Sequence, residues 1–147
     1  MELTKSLSYL LGVYMGDGCI WDNGSGVLCF GAEVQDKDFI ERIAESIEDT
    51  CDKLPVIHAH KRLNRKSEYY RCQISNKKLI DFLIENTHAK TILPKIVIDS
   101  NIVLQKEFIA GLLDSEGYVS MSKRHMYGGH DVFDMQIGFS VCDPWIY

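Results

Sequence analysis

The sequence predicts an α+β fold, in which an αββαββα unit is followed by a partial αββ unit. Three observations lead to this fold class. The chain has 147 residues, 46% of them hydrophobic, which is enough for a compact domain with a core. Two apolar helical stretches share one pattern, LLGVYMGDG at residues 10–18 and IAGLLDSEG at residues 109–117. After each of them apolar and polar residues alternate, which is the period of a half-buried strand.

The first unit, residues 1–88, is defined by this periodicity and by residues that favour helix ends. Gly18 is predicted to stop the first helix in the left-handed conformation, and Asp36 and Ser75 are predicted to cap the next two helices. The predicted order is a helix over 3–15, strands over 19–21 and 27–35, a helix over 37–50, strands over 55–63 and 68–75, and a helix over 76–86.

The second unit, residues 102–147, follows a connector over 89–101 and repeats only the first three elements of the first unit. Its predicted elements are a helix over 102–115, a strand starting near 119, a turn over 125–131 and a strand over 133–141. The long helix, the second hairpin and the closing helix have no counterparts. An unpaired sheet edge and an open core are therefore expected, and with them self-association or completion of the fold by further chain.

Positive charge is concentrated in one stretch of an acidic chain. The net charge is −5, yet residues 53–78 hold eight basic residues and one acidic residue, Glu68. The remainder holds eight basic and 20 acidic residues. Such a concentration is typical of a nucleic-acid contact, and equally of a solvated hairpin whose long basic side chains keep a sheet edge soluble.

The composition indicates an intracellular protein, in the cytoplasm or an organellar matrix. There is no apolar run of about 18 residues, and the N-terminal stretch does not have the pattern of a signal peptide. The five cysteines form no CxxC pair, so reduced thiols are expected rather than disulfides or a zinc site.

Small residues recur at the same helical spacing in both apolar stretches. Gly12 and Gly16 in the first stretch correspond to Gly111 and Ser115 in the second, each 99 residues later. Residues at i and i+4 share a helix face, so each helix presents a flat strip with little side chain. One such strip in a soluble chain is usually ordinary packing, but two in matching context predict that the helices pair closely and in parallel.

An acidic residue follows each strip, Asp17 in the first stretch and Glu116 in the second. If the helices pair in parallel, the two carboxylates lie side by side at helix C-termini, where the helix dipole and their mutual repulsion both disfavour them. A divalent cation removes both penalties, and Mg²⁺ binds such carboxylates together with phosphate and water. The pair is therefore predicted to be a metal site suited to phosphodiester hydrolysis.

The polar faces of the predicted strands carry amide and guanidinium groups. A curved sheet with such side chains fits the DNA major groove, in which arginine reads guanine and glutamine reads adenine. The candidate DNA-binding residues are Lys61, Arg62, Arg65, Lys66, Arg71, Gln73, Lys123, Arg124 and Gln136.

These motifs resemble those of the LAGLIDADG homing endonucleases. YLLGVYMGDG at residues 9–18 is similar to the first signature of that family and FIAGLLDSEG at residues 108–117 to the second, and the resemblance extends over essentially the whole chain. It implies αββαββα units related by a pseudo-twofold axis, with the signature helices at their interface and the sheets straddling double-stranded DNA as a saddle. It also implies cleavage of both strands at a long asymmetric site with Mg²⁺ or another divalent cation.

The resemblance assigns roles residue by residue. Asp17 and Glu116 match the metal-binding acids of the signatures. Gln35 occupies the position, at the end of the second strand, where the family often has a glutamine or lysine near the attacking water. Its counterpart in the second unit is Cys142, which cannot act as a cation, so Lys61 or Lys123 is a candidate for that charge.

Other functions stay open on the same scaffold. An RNA maturase that binds intron RNA, or a DNA-binding protein, would use the sheet without cleavage, and a truncated remnant would be inactive. The presence of both acids favours the endonuclease, because a protein that only binds has no need of an electrostatically costly pair.

Overall fold

The structure, a computed structural model, describes residues 1–24, 26–61, 68–125 and 131–139. Helices and strands follow each other there in an order that confirms the predicted α+β class. The elements are α1 (Lys5–Met15), β1 (Cys19–Asp22), β2 (Leu28–Val34), α2 (Lys37–Cys51), β3 (Val56–Lys61), β4 (Glu68–Ile74), α3 (Lys77–Thr87), α4 (Lys95–Ile98), α5 (Ile102–Glu116), β5 (Gly117–His125) and β6 (Asp131–Phe139). In these ranges no helix combines the length and the apolar character that crossing a bilayer requires.

Helices α1, α2, α3 and α5 each begin at a residue whose side chain accepts a hydrogen bond from the backbone of the first turn. These capping residues are Thr4, Asp36, Asn76 and Asn101. The prediction for Asp36 is confirmed, whereas that for Ser75 is wrong. Asn76 Oδ1 accepts from the Leu79 amide at 3.1 Å, so the cap lies one residue later than predicted.

The end of α1 also differs from the prediction. The helix is closed by Gly16 at a φ of −90°, and Gly18 does not have the left-handed conformation expected of it. A β-carbon on Gly18 would lie 2.8 Å from both the Tyr14 Cα and the Val13 carbonyl oxygen. Gly18 is therefore required because the chain folds back tightly against the last turn of α1.

Strands β1 to β4 form one antiparallel sheet in the order β1-β2-β4-β3. The helices bury one of its faces, which is apolar. Buried residues on this inner face are Phe30, Ala32, Cys72 and Ile74. The outer face is polar, because the register sets Glu33 of β2 and His58 of β3 on either side of Arg71 of β4. The alternation of strand residues thus separates a core face from a polar face.

Helix α1 lies at the centre of the core. Residues 7–14 are all buried, although a surface helix normally has a polar face. Its neighbours α2 and α3 contribute Ile40, Ile43 and Leu83 to the same core, and α5 contributes Phe108. Because α1 is surrounded by other elements, its C-terminal end is held in a fixed position within the molecule.

The second sheet of the described residues is smaller. It consists of the antiparallel pair β5–β6, in which Met121 lies opposite Met135. Met135 is 65% exposed. An open apolar groove of about 600 Å³ between α4 and α5 is lined by side chains that include Val97, Phe108 and Leu112. The predicted turn over 125–131 and the end of the last strand fall largely outside the described residues.

The cysteines in the described ranges are free thiols. Cys29 and Cys72 are buried, and burial raises the pKa of the Cys72 thiol to about 12, which makes it unreactive. Cys19 is exposed. Cys142 lies outside the described residues.

Candidate functional site

Helices α1 and α5 run in parallel and touch through their backbones. A β-carbon on Gly12 would lie 2.1 Å from the carbonyl oxygen of Phe108, and one on Gly111 would lie 2.2 Å from the carbonyl oxygen of Tyr9. Real β-carbons do not approach other atoms so closely, so a larger residue at either position would push the helices apart. The small residues are therefore what allows this contact.

The same contact continues toward both ends of the helices. At the N-terminal end, the buried Ser8 hydroxyl donates to the Leu104 carbonyl at 2.6 Å. At the C-terminal end, a β-carbon on Gly16 would lie 2.0 Å from Ser115 Oγ and 2.8 Å from Glu116 Cγ. The last turns of the two helices are thus held against each other.

This arrangement brings together Asp17 and Glu116. Burial raises the pKa of Glu116, as do the negative charge of Asp17 and a hydrogen bond between the two carboxyl groups. The positive charge of Lys90 acts in the opposite direction. A carboxyl pair in contact at two helix C-termini is electrostatically unfavourable in the absence of a cation.

Lys90 is the lysine whose charge acts on this pair. Its Nζ donates to the Gly16 carbonyl at 2.6 Å and lies 5.3 Å from the centroid of the Tyr14 ring. Burial lowers the pKa of Lys90, and the nearby Cys19, Asp17 and Glu116 oppose that shift. The ammonium group therefore lies against the Gly16 carbonyl at the C-terminal end of α1, where a positive charge is favourable.

The loop that carries Lys90 has an unusual backbone. His88, Ala89 and Lys90 have φ values of 44°, 54° and 74°, in the left-handed region that residues other than glycine rarely adopt. Such conformations persist only where the surroundings impose them, and they concentrate at functional sites. Sequence reasoning missed Lys90, because a lysine in a connector without glycine carries no periodic signal.

The outer face of the β1–β4 sheet adjoins the acid pair. A shallow pocket of about 290 Å³ lies on this side of the sheet. It is lined by Cys19 and Trp21 of β1, by Glu33 and Arg71 of the outer face, and by Ala32 of β2. The Glu33 carboxylate accepts from Arg71 Nε at 2.8 Å and from its Nη2, and it lies 3.4 Å from His60 Nε2. Arg71 is thus fixed by an acidic partner and does not extend freely into solvent.

The remaining predicted site residues are spread over the sheets. Gln35, exposed at the end of β2, donates its Nε2 to the Tyr69 hydroxyl at 2.8 Å. Lys61 is the last residue of β3, and β3 and β1 are the two edge strands of the sheet. Lys61 therefore lies at the opposite edge of the sheet from Asp17, which directly precedes β1 in the chain. Gln73 is half-buried, and exposed positions in the second sheet are held by Lys123 and Gln136. Arg62, Arg65 and Lys66 lie outside the described residues, as does the side chain of Arg124.

No protein-family model matches the chain. MJ0398, an uncharacterized protein of Methanocaldococcus jannaschii, is 30% identical over 121 residues, which are 82% of this chain and 41% of that protein. MJ0314, an uncharacterized protein of the same organism, is 29% identical over 124 residues, 84% of this chain and 45% of that protein. The chain thus spans less than half the length of these relatives.

The chain is similar in fold to solved structures of homing endonucleases. The homing endonuclease I-WcaI bound to its DNA recognition sequence has a TM-score of 0.54 at 18% identity, over 80% of this chain and 53% of that one. I-DmoI in complex with DNA and Mn has a TM-score of 0.53 at 17% identity, over 92% and 91% of the two chains. The chain has the fold of the LAGLIDADG homing endonucleases. The predicted resemblance to this family is confirmed at the level of the fold.

Within this homing-endonuclease fold, the acid pair has the composition of a divalent-cation site. Carboxylate oxygens are hard ligands, and Mg²⁺ commonly uses only one or two of them, with water and phosphate completing its shell. Among the described residues, no group of three or more His, Cys, Asp or Glu side chains could hold a metal. The donor set of Asp17 and Glu116 therefore fits a cation shared with a phosphate group, and it does not fit a closed structural metal centre.

Proposed function

We propose that this protein is a site-specific endonuclease that cleaves double-stranded DNA with a divalent cation, Mg²⁺ or a similar ion, bound by Asp17 and Glu116. The observation that carries the proposal is the carboxyl pair at the ends of two helices in backbone contact. The fold supports the same function, because I-WcaI and I-DmoI, whose structures contain DNA, share it. The Mn in the I-DmoI complex supports a divalent cation as the cofactor.

The residues around the acid pair have distinct proposed roles. Asp17 and Glu116 bind the cation, whose chemistry is to offset the charge of the phosphate and to lower the pKa of bound water. Lys90, held in place by the Gly16 carbonyl, adds a second positive charge beside the phosphate. Gln35, which lies at the end of β2 with its amide on the Tyr69 hydroxyl, is proposed to act near the attacking water on the basis of the family resemblance alone.

The outer face of the β1–β4 sheet is the proposed DNA surface. Glu33 neutralises much of the charge of Arg71. Arg71 is therefore better suited to contact base edges than phosphates, because its remaining N–H groups can donate hydrogen bonds to the bases. Lys61 and Lys123 are proposed to contact phosphates. The other proposed DNA contacts are Arg62, Arg65, Lys66, Gln73, Arg124 and Gln136.

Cleavage of a randomised library of DNA duplexes in the presence of Mg²⁺ or Mn²⁺ tests the proposal. We expect the purified protein to cut a small set of related sequences, and sequencing of the cut ends identifies the site. Asp17→Asn and Glu116→Gln should each abolish cutting while DNA binding, measured by mobility shift, is retained. Asp81→Asn, which removes a carboxylate paired with Lys77 on the surface of α3, is the matched control and should cut normally.

Two results would contradict the proposal. If both acid variants cut as well as the parent protein, the acid pair is not the metal site. If the parent protein binds DNA but does not nick any member of the library with either cation, the protein is a binder without nuclease activity.

A further inference from the structure

A second cluster of charged groups joins α5 to α1 and α2, away from the acid pair. Arg42 of α2 donates from Nη1 to Asp114 Oδ2 at 2.8 Å, and its Nη2 lies 3.5 Å from Glu107 Oε2. The same guanidinium lies over the ring of Tyr9 of α1, 4.2 Å from the ring centroid. Tyr9 Oη donates to Asp114 Oδ2 at 2.9 Å. Three helices thus converge on one carboxylate oxygen.

The cluster differs from an ordinary surface ion pair because part of it is buried. Tyr9 is only 1% exposed, so its hydroxyl needs a protein partner, and Asp114 supplies one. Asp114 lies in the last turn of α5, where the helix dipole disfavours a carboxylate. Arg42 and Tyr9 offset that cost, since each directs a hydrogen-bond donor at the same oxygen.

The contact between α1 and α5 does not by itself fix the rotation of one helix relative to the other. The glycine strip lets the two backbones approach, but a surface without side chains has few projections that resist rotation or sliding of one helix along the other. Asp114 precedes Glu116 by two residues, which is about 3 Å along the helix axis. A group that fixes Asp114 therefore also fixes where Glu116 lies relative to Asp17.

We propose that Arg42, Tyr9 and Asp114 form a positioning clamp that sets the rotation of α5 against α1, and through it the position of Glu116 in the cation site. None of the three touches the acid pair in the structure, so they are positioning residues and not catalytic ones. The proposal rests on the function proposed above, because it assumes that Asp17 and Glu116 bind a divalent cation together.

Binding of Mn²⁺ to the DNA-free protein, measured by electron paramagnetic resonance of the unbound ion, tests the clamp. Asp114→Asn and Arg42→Met should each weaken Mn²⁺ binding about tenfold, the lower end of the range for groups that orient metal ligands. Arg42→Lys should restore part of the loss, because lysine keeps the charge but not the forked geometry. The double variant should lose no more than the more affected single variant, because both changes break one interaction.

Two controls separate positioning from loss of stability. Glu41→Gln breaks the ion pair with Lys37 on the same helix α2, at the same 2.8 Å, and should leave Mn²⁺ binding unchanged. Ile47→Val destabilises the core without touching the clamp, so it shows what a lower melting temperature alone does to Mn²⁺ binding. If Asp114→Asn or Arg42→Met does not fold, Tyr9→Phe keeps the ring and removes only the hydroxyl, and about threefold weaker binding is expected.

The results distinguish failure of the clamp from failure of the proposed endonuclease function. Unchanged Mn²⁺ affinity in the folded clamp variants, beside a parent protein that binds the ion, overturns the clamp alone. If the parent protein does not bind Mn²⁺, the proposed function fails, and hydrogen exchange then decides on the clamp. Faster exchange in the last turn of α5 in Asp114→Asn, but not in Glu41→Gln, supports the clamp, and equal exchange in both overturns it.

Discussion

A β-carbon on Gly12 would lie 2.1 Å from the carbonyl oxygen of Phe108, across the contact between α1 and α5. At an exposed helical site, replacing glycine with alanine stabilises a protein by about 1 kcal/mol. At this site we expect Gly12→Ala to lower the free energy of unfolding by about 3 kcal/mol, because the backbones must move apart. Urea denaturation of the two proteins measures the difference. A neutral or stabilising effect would mean that the helices do not meet at Gly12.

Glu116 gives a prediction about pH. Burial and Asp17 raise its pKa in the folded protein above the ordinary value of 4.5. A raised folded-state pKa means that protonation of Glu116 favours the folded state. The contribution of this group to the free energy of unfolding is therefore fully present below the ordinary pKa, and it is lost as the pH rises through the folded-state pKa. Without divalent cations, Glu116→Gln should therefore be more stable than the parent protein at pH 7.

Thermal melts in a chelator at pH 7 and pH 4 check this sign. The advantage of Glu116→Gln should shrink toward zero at pH 4, where the carboxyl group of the parent protein is also neutral. Added Mn²⁺ at pH 7 should reverse the order, because it stabilises only the protein that binds it. The same advantage at both pH values would show that the substitution acts through packing.

Lys90 gives a prediction about the rate of DNA cleavage. Replacing it with methionine removes a positive charge near the proposed phosphate position, and we expect the cleavage rate to fall about a hundredfold. Lys95→Met is the matched control, because Lys95 is an exposed lysine whose ion pair is with Asp99 on the surface. Single-turnover rates at saturating protein concentration separate this effect from weaker DNA binding.

The same variant tests the electrostatics without any cleavage. Since Lys90 lowers the pKa of Glu116, Lys90→Met should raise that pKa further, and NMR titration of the carboxyl group measures it. An unchanged Glu116 titration would mean that the lysine lies farther from the acid pair than the structure places it.

The left-handed loop gives a prediction about stability. Ala89 has a φ of 54°, a conformation that glycine adopts at no steric cost. Ala89→Gly should therefore stabilise the protein by about 0.5 kcal/mol, the gain from relieved strain exceeding the added freedom of the unfolded chain. Ala44→Gly, inside α2, should instead destabilise it by about 1 kcal/mol. Opposite signs in chemical denaturation are the expected result, and two destabilising effects would contradict the loop conformation.

The sequence was informative where one local pattern determines the structure. Matching helical spacing in the two stretches indicated that Gly12 and Gly111 share a contact, and periodicity of two separated the buried Cys72 from the exposed Arg71. These features need only the geometry of a helix or a strand. The order of the elements apart from α4, which lies in the predicted connector, could therefore be predicted without knowledge of the tertiary structure.

Other features depend on distances that a pattern does not contain. Ser75 and Asn76 are both good capping residues, and only the hydrogen bond to Leu79 distinguishes them. Gly18 was expected because glycine adopts the left-handed conformation. The structure instead requires it for its small size, because a β-carbon there would clash with the last turn of α1. The position of Lys90 depends on consecutive left-handed residues that composition does not indicate, so the sequence led to Lys61 and Lys123 as candidates for the charge and not to Lys90.

The contact between α1 and α5 has a consequence for the order in which the protein folds. The Ser8–Leu104 and Tyr9–Asp114 hydrogen bonds join residues separated by 96 and 105 positions in the chain. The β1–β4 sheet and the helices that cover it use a shorter stretch, so their contacts close sooner. During synthesis α1 is made before α5, so the side of α1 that contacts α5 stays uncovered until α5 is available, and uncovered apolar surface promotes aggregation. The step that completes the acid pair is also the step that removes this hazard.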